Sequence, residues 1–272
     1  MEDKIILKQK ILDYALSLGI TEVGIAGDNA TYSAIVCLFP YFTGYINNAN
    51  LSLYTYSEDY HTISKNYLLK ICNFTKELSL SSSFSIHVDK HGGDDRKYAY
   101  NAGLGFFGKN GLIINDRYGS YVFIGYILTD LLLLPDKPLQ KECLSCGKCI
   151  AACPGKALGN FFDSSKCASA ISQKKGTLSS TEEEILLKSG LIFGCDICQK
   201  VCPHNLFVQK TNIPEFYQSL MPSLTLSDIE SFSERTFRKK FVNRAFSWRG
   251  RKILKRNLEL FERIKKLDKD KL

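Results

Sequence analysis

No stretch of 18 or more apolar residues occurs anywhere in the 272-residue chain. The longest candidate, Tyr121 to Leu134, is broken by Gly125, Thr129 and Asp130, which excludes an ordinary membrane-spanning helix. The opening MEDKIILKQK lacks the basic-then-apolar order of an export signal and reads instead as an amphipathic helix. A cytoplasmic location with no membrane association is therefore expected. Ten cysteines are then metal ligands or thiols rather than a disulfide framework. No repeat of solenoid length is visible. Gly103, Gly105 and Gly108 form no dinucleotide fingerprint, which requires a βαβ setting and a downstream acid.

What remains is ordinary globular material, 44% hydrophobic and 24% charged. It is long enough for one large domain with a smaller companion. The net charge of +8 is unevenly placed: Arg235 to Leu272 carries 15 Lys or Arg against 4 Asp or Glu. That segment alone sums to +11, so the rest of the chain is near −3. A basic tail of this kind attracts polyanions, nucleic acid above all, through phosphate contacts and counterion release. A solvated surface helix is the alternative.

Residues 3–18 place apolar side chains near a 3.6-residue period and stop at Gly19, which predicts a helix. Thr21 to Ala26, Ala34 to Phe39 and Ser83 to Val88 read as strands, and residues 58–79 as a helix. The segment KHGGDDRK is a turn before a helix. Leu112 to Asn115 and Ser120 to Leu128 resemble the two arms of a hairpin across Asp116 to Gly119. Pro135 to Glu142 reads as a linker. The expected class is α+β. Residues 1–136 form the first domain, 137–210 a cysteine-rich domain and 211–272 a basic helical segment.

Two cysteine motifs carry the chemistry. The first is Cys143-x2-Cys146-x2-Cys149-x3-Cys153-Pro154, the second Cys195-x2-Cys198-x3-Cys202-Pro203. In the bacterial ferredoxin run, three closely spaced thiolates hold one cubane and the cysteine before proline reaches the other. By that logic Cys143, Cys146, Cys149 and Cys202 hold one [4Fe–4S] cluster. Cys153, Cys195 and Cys198 hold a second, with Cys167 as the nearest spare ligand. A zinc ribbon is the competing assignment, but it does not ask for a triple two-residue spacing closed by Cys-Pro. Cys37 in an apolar strand and Cys72 on a helix read as buried structural thiols. Two clusters form an electron wire, and the residues before them should hold its acceptor.

The ordered set SEDYH (57–61), VD (88–89) with DR (95–96), AGLGFFGKN (102–110) and YGSYVFIGYILTDL (118–131) now adds to both cysteine motifs. With FSWRGRK (246–252) it resembles the epoxyqueuosine reductases, cobalamin- and iron–sulfur-dependent enzymes that complete queuosine in tRNA. The resemblance implies a flavin-reductase-like cobalamin-binding domain, a ferredoxin-like domain with two [4Fe–4S] clusters, and electrons passing through both clusters to cobalamin. It makes Asp89 the acid that protonates the departing epoxide oxygen, with His91, Asp94 and Asp95 as neighbouring alternatives. It places Ser172 close to the corrin.

Lys109 reads as a contact to cobalamin or an anionic group, or as a surface lysine. Tyr54 and Tyr56 read as lining residues or core. Trp248, Arg249 and Arg251 combine a stacking surface with phosphate-binding cations, suited to an RNA loop or the corrin edge. Arg249, Arg251, Lys255 and Arg256 are the expected contacts to anticodon-loop phosphates. Relative to the family, the first strands are abbreviated, and the basic helix stands where many members continue into helical repeats. The chain thus reads as a short form without those repeats. A monomer is expected, fed by an external electron donor such as a flavodoxin or ferredoxin. The alternatives are an electron-transfer module without a substrate site, and a cobalamin-dependent reductase of another small epoxide or halide.

Overall fold

The computed structural model describes residues 2–28, 30–89 and 95–269. It divides into two compact units, each assembled from separate stretches of chain. The first comprises Met1–Thr43, Tyr60–Ser145 and His204–Tyr217; the second comprises Gly44–Asp59, Cys146–Pro203 and Gln218–Leu272. These units cut across the linear segments 1–136, 137–210 and 211–272. Residues 44–59 pack with the cysteine-rich stretch and the tail, while 204–217 return to the first unit.

The first unit contains α1 (Glu2–Ser17), β1 (Val23–Gly27), β2 (Ser33–Pro40), α2 (Tyr60–Leu78), β3 (Phe84–Val88) and α3 (Asp95–Asn101). It continues with β4 (Phe106–Phe107), β5 (Ile113–Ile114) and β6 (Val122–Thr129). One antiparallel sheet has the order β1-β2-β6-β3. Every residue of β2 is buried, because helices cover both faces of the sheet. Ala34, Val36, Leu38, Ile124 and Tyr126 pack with Ala99 and Ala102 of α3 and the segment that follows it. On the other face α2 lies against β3 and β6. There Gly125 makes room for close packing: a Cβ would stand 2.7 Å from the end of the Leu68 side chain and 3.0 Å from Phe39.

The expected hairpin across Asp116 to Gly119 does not form between β5 and β6. β5 pairs with β4, and β6 joins β2 and β3 in the main sheet. Asn115 explains the switch. Its side-chain amide donates to Leu104 O (2.8 Å) and Glu22 (2.8 Å), while its Oδ1 accepts the Arg117 (2.9 Å) and Tyr118 (3.2 Å) amides. Only a local Asn115–Gly119 bridge closes the turn. Gly105 lets β4 approach, since a Cβ there would meet Ile114 O at 2.6 Å.

The start of the expected linker at 135–142 is pinned along β1. Asp136 accepts the Ile25 amide (2.8 Å), donates its own N–H to Ile25 O (2.8 Å) and pairs with Lys8 (2.5 Å). The returning segment 204–217 is equally tied down. Asn205 accepts the Ser120 amide (2.8 Å), and Tyr67 donates to Glu215 (2.8 Å).

The second unit holds α4 (Lys148–Ala152), α5 (Ala168–Ser172), α6 (Ser180–Ser189), α7 (Ile197–Lys200), α8 (Glu234–Lys240) and α9 (Arg251–Lys269). A reciprocal capping box between Ser179 and Glu182 starts α6, and Gly190 in the left-handed region ends it. Ala168, Ile171, Ile185, Leu186 and Leu260 form its core. Residues 44–59 join through a Leu51–Phe193 bridge, and the buried Asp196 accepts from Ser52 Oγ and the Leu53 amide. Asn257, fully buried on α9, donates to Ser172 O (2.8 Å) and Ile192 O (2.7 Å). Cys37 and Cys72 are buried, as their apolar settings suggest.

Candidate functional site

In the first unit a cavity of about 350 Å³ opens between the ends of α2, β3, α3 and β6. Its apolar lining comes from Leu112, Ile113, Val122, Phe123 and Ile124. Its polar groups are Tyr60, Asp89, Asp95, Arg96 and Ser120. Asp89 follows the last residue of β3 with φ +48°, a left-handed conformation that Asp and Asn tolerate better than most side chains. Its carboxylate is exposed and accepts a hydrogen bond from the Tyr60 hydroxyl. The Tyr60 ring is buried and stacks on Phe123, with centroids 3.9 Å apart and planes at 4°. His61 Nε2 lies 3.8 Å from the same carboxylate oxygen. Arg96 donates to Gly111 O (2.6 Å). Asp95 shares the cavity with Asp89; His91 and Asp94 lie outside the described residues.

Lys109 is not brought into that cavity. It lines another, of about 430 Å³, with Tyr100, Phe107, Lys141 and Cys143. The other residues expected at a cofactor meet in the second unit. The Gly194 amide donates to Ser172 Oγ (2.9 Å), and a Cβ on Gly194 would stand 2.9 Å from the Tyr54 ring. Ser172 is fully buried and also donates to Ser169 O (2.7 Å). Next to it, Gln173 accepts from the Trp248 indole (3.0 Å). Tyr54 is half-buried beside Phe193, whereas Tyr56 is buried core whose hydroxyl is pushed up to about 12 by burial.

Cys195 and Cys198 of the second motif sit in one electrostatic neighbourhood with Cys149, Cys153 and Cys167. Burial pushes Cys198 up to about 12, reinforced by the charges of Cys195, Cys167, Cys149 and Cys153. Burial raises Cys195 to about 11, with smaller contributions from Asp196, Cys167 and Cys153. Crowded thiolates of this kind repel one another until a cation shares them. The thiols of Cys149, Cys153, Cys167, Cys195 and Cys198 thus offer the donor chemistry that an iron–sulfur cluster takes. The Ala157 amide already points at Cys153 Sγ (3.3 Å). Cys146 is exposed, Cys143 and Cys149 are half-buried, and Cys202 is buried.

Two of the tail cations expected at phosphates turn inward. Arg251 donates to Glu230 O (3.3 Å), and its backbone amide meets Glu234. Arg256 donates to Lys174 O (2.7 Å) and Gly176 O (2.6 Å), and burial lowers its pKa. Lys255 pairs with Glu259 at 3.5 Å. Arg249 is half-buried and stacks over Trp248 at 3.7 Å.

Comparison with known proteins bears directly on this arrangement. Residues 142–205 match the 4Fe-4S double cluster binding domain family. An epoxyqueuosine reductase of Bacillus cereus is 37% identical over 209 residues, 75% of this chain and 54% of that protein. One from Atelocyanobacterium thalassa is 33% identical over 218 residues, 77% of this chain and 71% of that protein. The chain belongs to the epoxyqueuosine reductase family. It spans about half the length of the Bacillus relatives it matches. A solved structure of epoxyqueuosine reductase with a tRNA-Tyr epoxyqueuosine-modified tRNA stem loop superposes with TM-score 0.83 at 26% identity. The superposition covers 94% of this chain and 81% of that one. The mixed α/β architecture with a double-cluster domain is thus the family's own. Among the described residues no helix is long and apolar enough to cross a membrane.

The resemblance pointed to Asp89, but residue-by-residue reading missed Tyr60 and His61 as its partners. Both lie in the SEDYH motif. A tyrosine at a helix start ordinarily reads as core, and nothing in its sequence position showed that its hydroxyl ends on Asp89.

Proposed function

We propose that the chain reduces epoxyqueuosine to queuosine in tRNA, with electrons passing through two [4Fe–4S] clusters to cobalamin. The observation that carries this reading is the Asp89 carboxylate, held by Tyr60 at a cavity whose lining is half polar and half apolar. Epoxide to alkene consumes two electrons and two protons and releases one water. Cobalamin, when bound, supplies the low-potential cobalt that delivers the electrons to carbon. The chain supplies the rest.

Asp89 gives the proton to the departing oxygen, which would otherwise leave as a poor leaving group. Tyr60 fixes the carboxylate so that it faces one place only. His61, exposed and 3.8 Å from the same carboxylate oxygen, can return the proton to Asp89 from solvent. Val122, Phe123 and Ile124 offer an apolar floor suited to a ring face. Ser172 and Tyr54 are assigned to the cofactor's surroundings in the second unit, and Lys109 to an anionic contact.

Cys143, Cys146, Cys149 and Cys202 would hold one cluster, and Cys153, Cys167, Cys195 and Cys198 the other. In this reading residues 1–136 supply the flavin-reductase-like cobalamin domain, 137–210 the ferredoxin-like domain and 211–272 the basic segment for the tRNA. The protein works in the cytoplasm as a monomer fed by an external flavodoxin or ferredoxin. The deciding experiment supplies reconstituted protein, cobalamin and a chemical reductant with an epoxyqueuosine-bearing stem loop under anaerobic conditions. Formation of queuosine, seen by mass spectrometry and dependent on cobalamin, supports the reading. Reduction of a small epoxide or halide with the stem loop left untouched would move the substrate assignment. Clusters that cycle with no substrate turned over would leave an electron-transfer module.

A further inference from the structure

We infer that α8, with the neighbouring Trp248–Arg249 pair, is the surface of the second unit that grips single-stranded RNA, and that α9 is not. The inference rests on the proposed reading that the substrate lies in tRNA. It begins from how the fold divides the tail's cations into two sets.

The inward set is consumed by the protein itself. Arg244 donates to Tyr56 O (3.0 Å) and Ser219 O (2.6 Å). Arg251 and Arg256 cap backbone carbonyls as described above, whereas Arg263 forms an exposed pair with Glu183 at 2.6 Å. Removing these side chains would disturb packing before it disturbed any ligand. Three of the eight cations of α9 are thus engaged by the protein, while Lys252, Lys265 and Lys266 stay exposed on it, none of them over an aromatic ring among the described residues.

The outward set is concentrated on α8. Arg235, Arg238, Lys239 and Lys240 are all exposed on this seven-residue helix. At 3.6 residues per turn, Arg235, Arg238 and Lys239 fall within about 100° of one another. Phe237 and Phe241 anchor the opposite side in the core. Among the described residues only Arg238 of this set forms an ion pair, with Glu234 at 3.2 Å, an exposed i,i+4 pair that a phosphate can displace. Lys240 lies over the Phe232 ring at 4.6 Å.

A second, independent feature adjoins this helix. Trp248, the chain's one tryptophan, is 56% exposed. It is nevertheless fixed, by the hydrogen bond to Gln173 and by the Arg249 guanidinium 3.7 Å from its centroid. Arg249 Nε is buried with no hydrogen-bond partner among the described residues. The turn carrying this pair sits against α8. A Cβ on Gly250 would fall 2.2 Å from Glu234 Oε1 and 3.5 Å from Arg238 Nη2.

A rigid exposed indole beside a cationic stripe is the combination that single-stranded nucleic acid recognises. Bases stack on the ring while cations follow the phosphates. A membrane surface would ask α8 to expose an apolar face, yet its two phenylalanines are buried. An acidic peptide would use the cations but leave the indole without a stacking partner.

The test measures binding of a fluorescent anticodon stem loop by anisotropy across a salt series, with iron content and circular dichroism as folding controls. Replacing Arg235, Arg238 and Lys239 by Ala should weaken binding about tenfold or more at low salt. It should also flatten the log–log salt slope by about 2, at roughly 0.7 per phosphate contact on a single strand. Trp248→Ala should weaken binding about 5- to 100-fold with the slope unchanged, as loss of one stacked base implies. The charge-keeping set Arg235→Lys, Arg238→Lys and Lys239→Arg should retain the parent slope. Lys265→Ala with Lys266→Ala should bind as the parent does.

Parent-like affinity and slope in the α8 triple variant would overturn the inference, as would a slope lost with the α9 pair instead. A parent that ignores the stem loop at low salt would overturn it together with the tRNA half of the proposed function. Reduction of the free nucleoside by that same parent would then show the chemical half still standing.

Discussion

The Tyr60 hydroxyl donates to the Asp89 carboxylate, joining the first residue of α2 to the residue that follows β3. Twenty-nine positions separate the two in sequence. The bond converts an exposed aspartate in a left-handed conformation into a group with one defined orientation. Tyr60 is itself immobilised by its stack on Phe123, so the carboxylate inherits the rigidity of the sheet.

Asp89→Asn should therefore keep its fold, because Asn tolerates the same left-handed backbone. It should lose about 10²- to 10⁴-fold in epoxide reduction, the usual contribution of a general acid. Tyr60→Phe should lose less, about tenfold, while shifting the pH profile of turnover. Single-turnover assays with chemically reduced protein would check both. Near-normal turnover in Asp89→Asn with collapse in Asp95→Asn would move the acid to Asp95.

Anaerobic reconstitution should load about eight irons per chain, as two cubanes require. Cys146→Ser and Cys198→Ser should each disturb a different cluster, visible as distinct losses in the electron paramagnetic resonance of the reduced protein. One or two zinc ions per chain without sulfide or visible absorbance would instead support a zinc ribbon.

Burial pushes the Cys37 thiol from its usual value of 9.0 up to about 12, and burial also raises Cys72. Both should resist iodoacetamide at pH 8.5 in the folded protein and react on denaturation, as peptide mass spectrometry would show. The linked effect on stability has a definite sign. A raised folded pKa favours the neutral thiol, so the contribution from Cys37 is complete below pH 9.0 and is lost as pH rises towards about 12. Cys37→Ala should remove that part of the alkaline fall in stability.

Asn257→Ala should destabilise the protein by about 2–4 kcal/mol, since it strands two buried carbonyls, Ser172 O and Ile192 O. Thermal unfolding would measure it. Lys265→Ala, on the exposed side of the same helix, should leave the midpoint unchanged within error.

Local pattern was enough for much of this molecule. The periods of α1 and α2, the apolar runs of β1 and β2 and the ligand spacing of the cysteine motifs are all properties of neighbouring residues, so they are legible in the chain. The ordered motifs then pointed to the epoxyqueuosine reductases. Tertiary structure decided what depends on contacts between distant residues. Asn115 reaches back to Glu22 and Leu104, so the expected hairpin opens and β6 enters the main sheet. Asp136 closes onto Ile25 and Lys8, which turns the start of a linker into a strap. Arg251 and Arg256 meet carbonyls far along the chain, and their charge becomes structural while that of α8 stays outside. A sequence shows how many cations a segment has. Which of them face water is set by the carbonyls and carboxylates the fold brings within hydrogen-bonding distance.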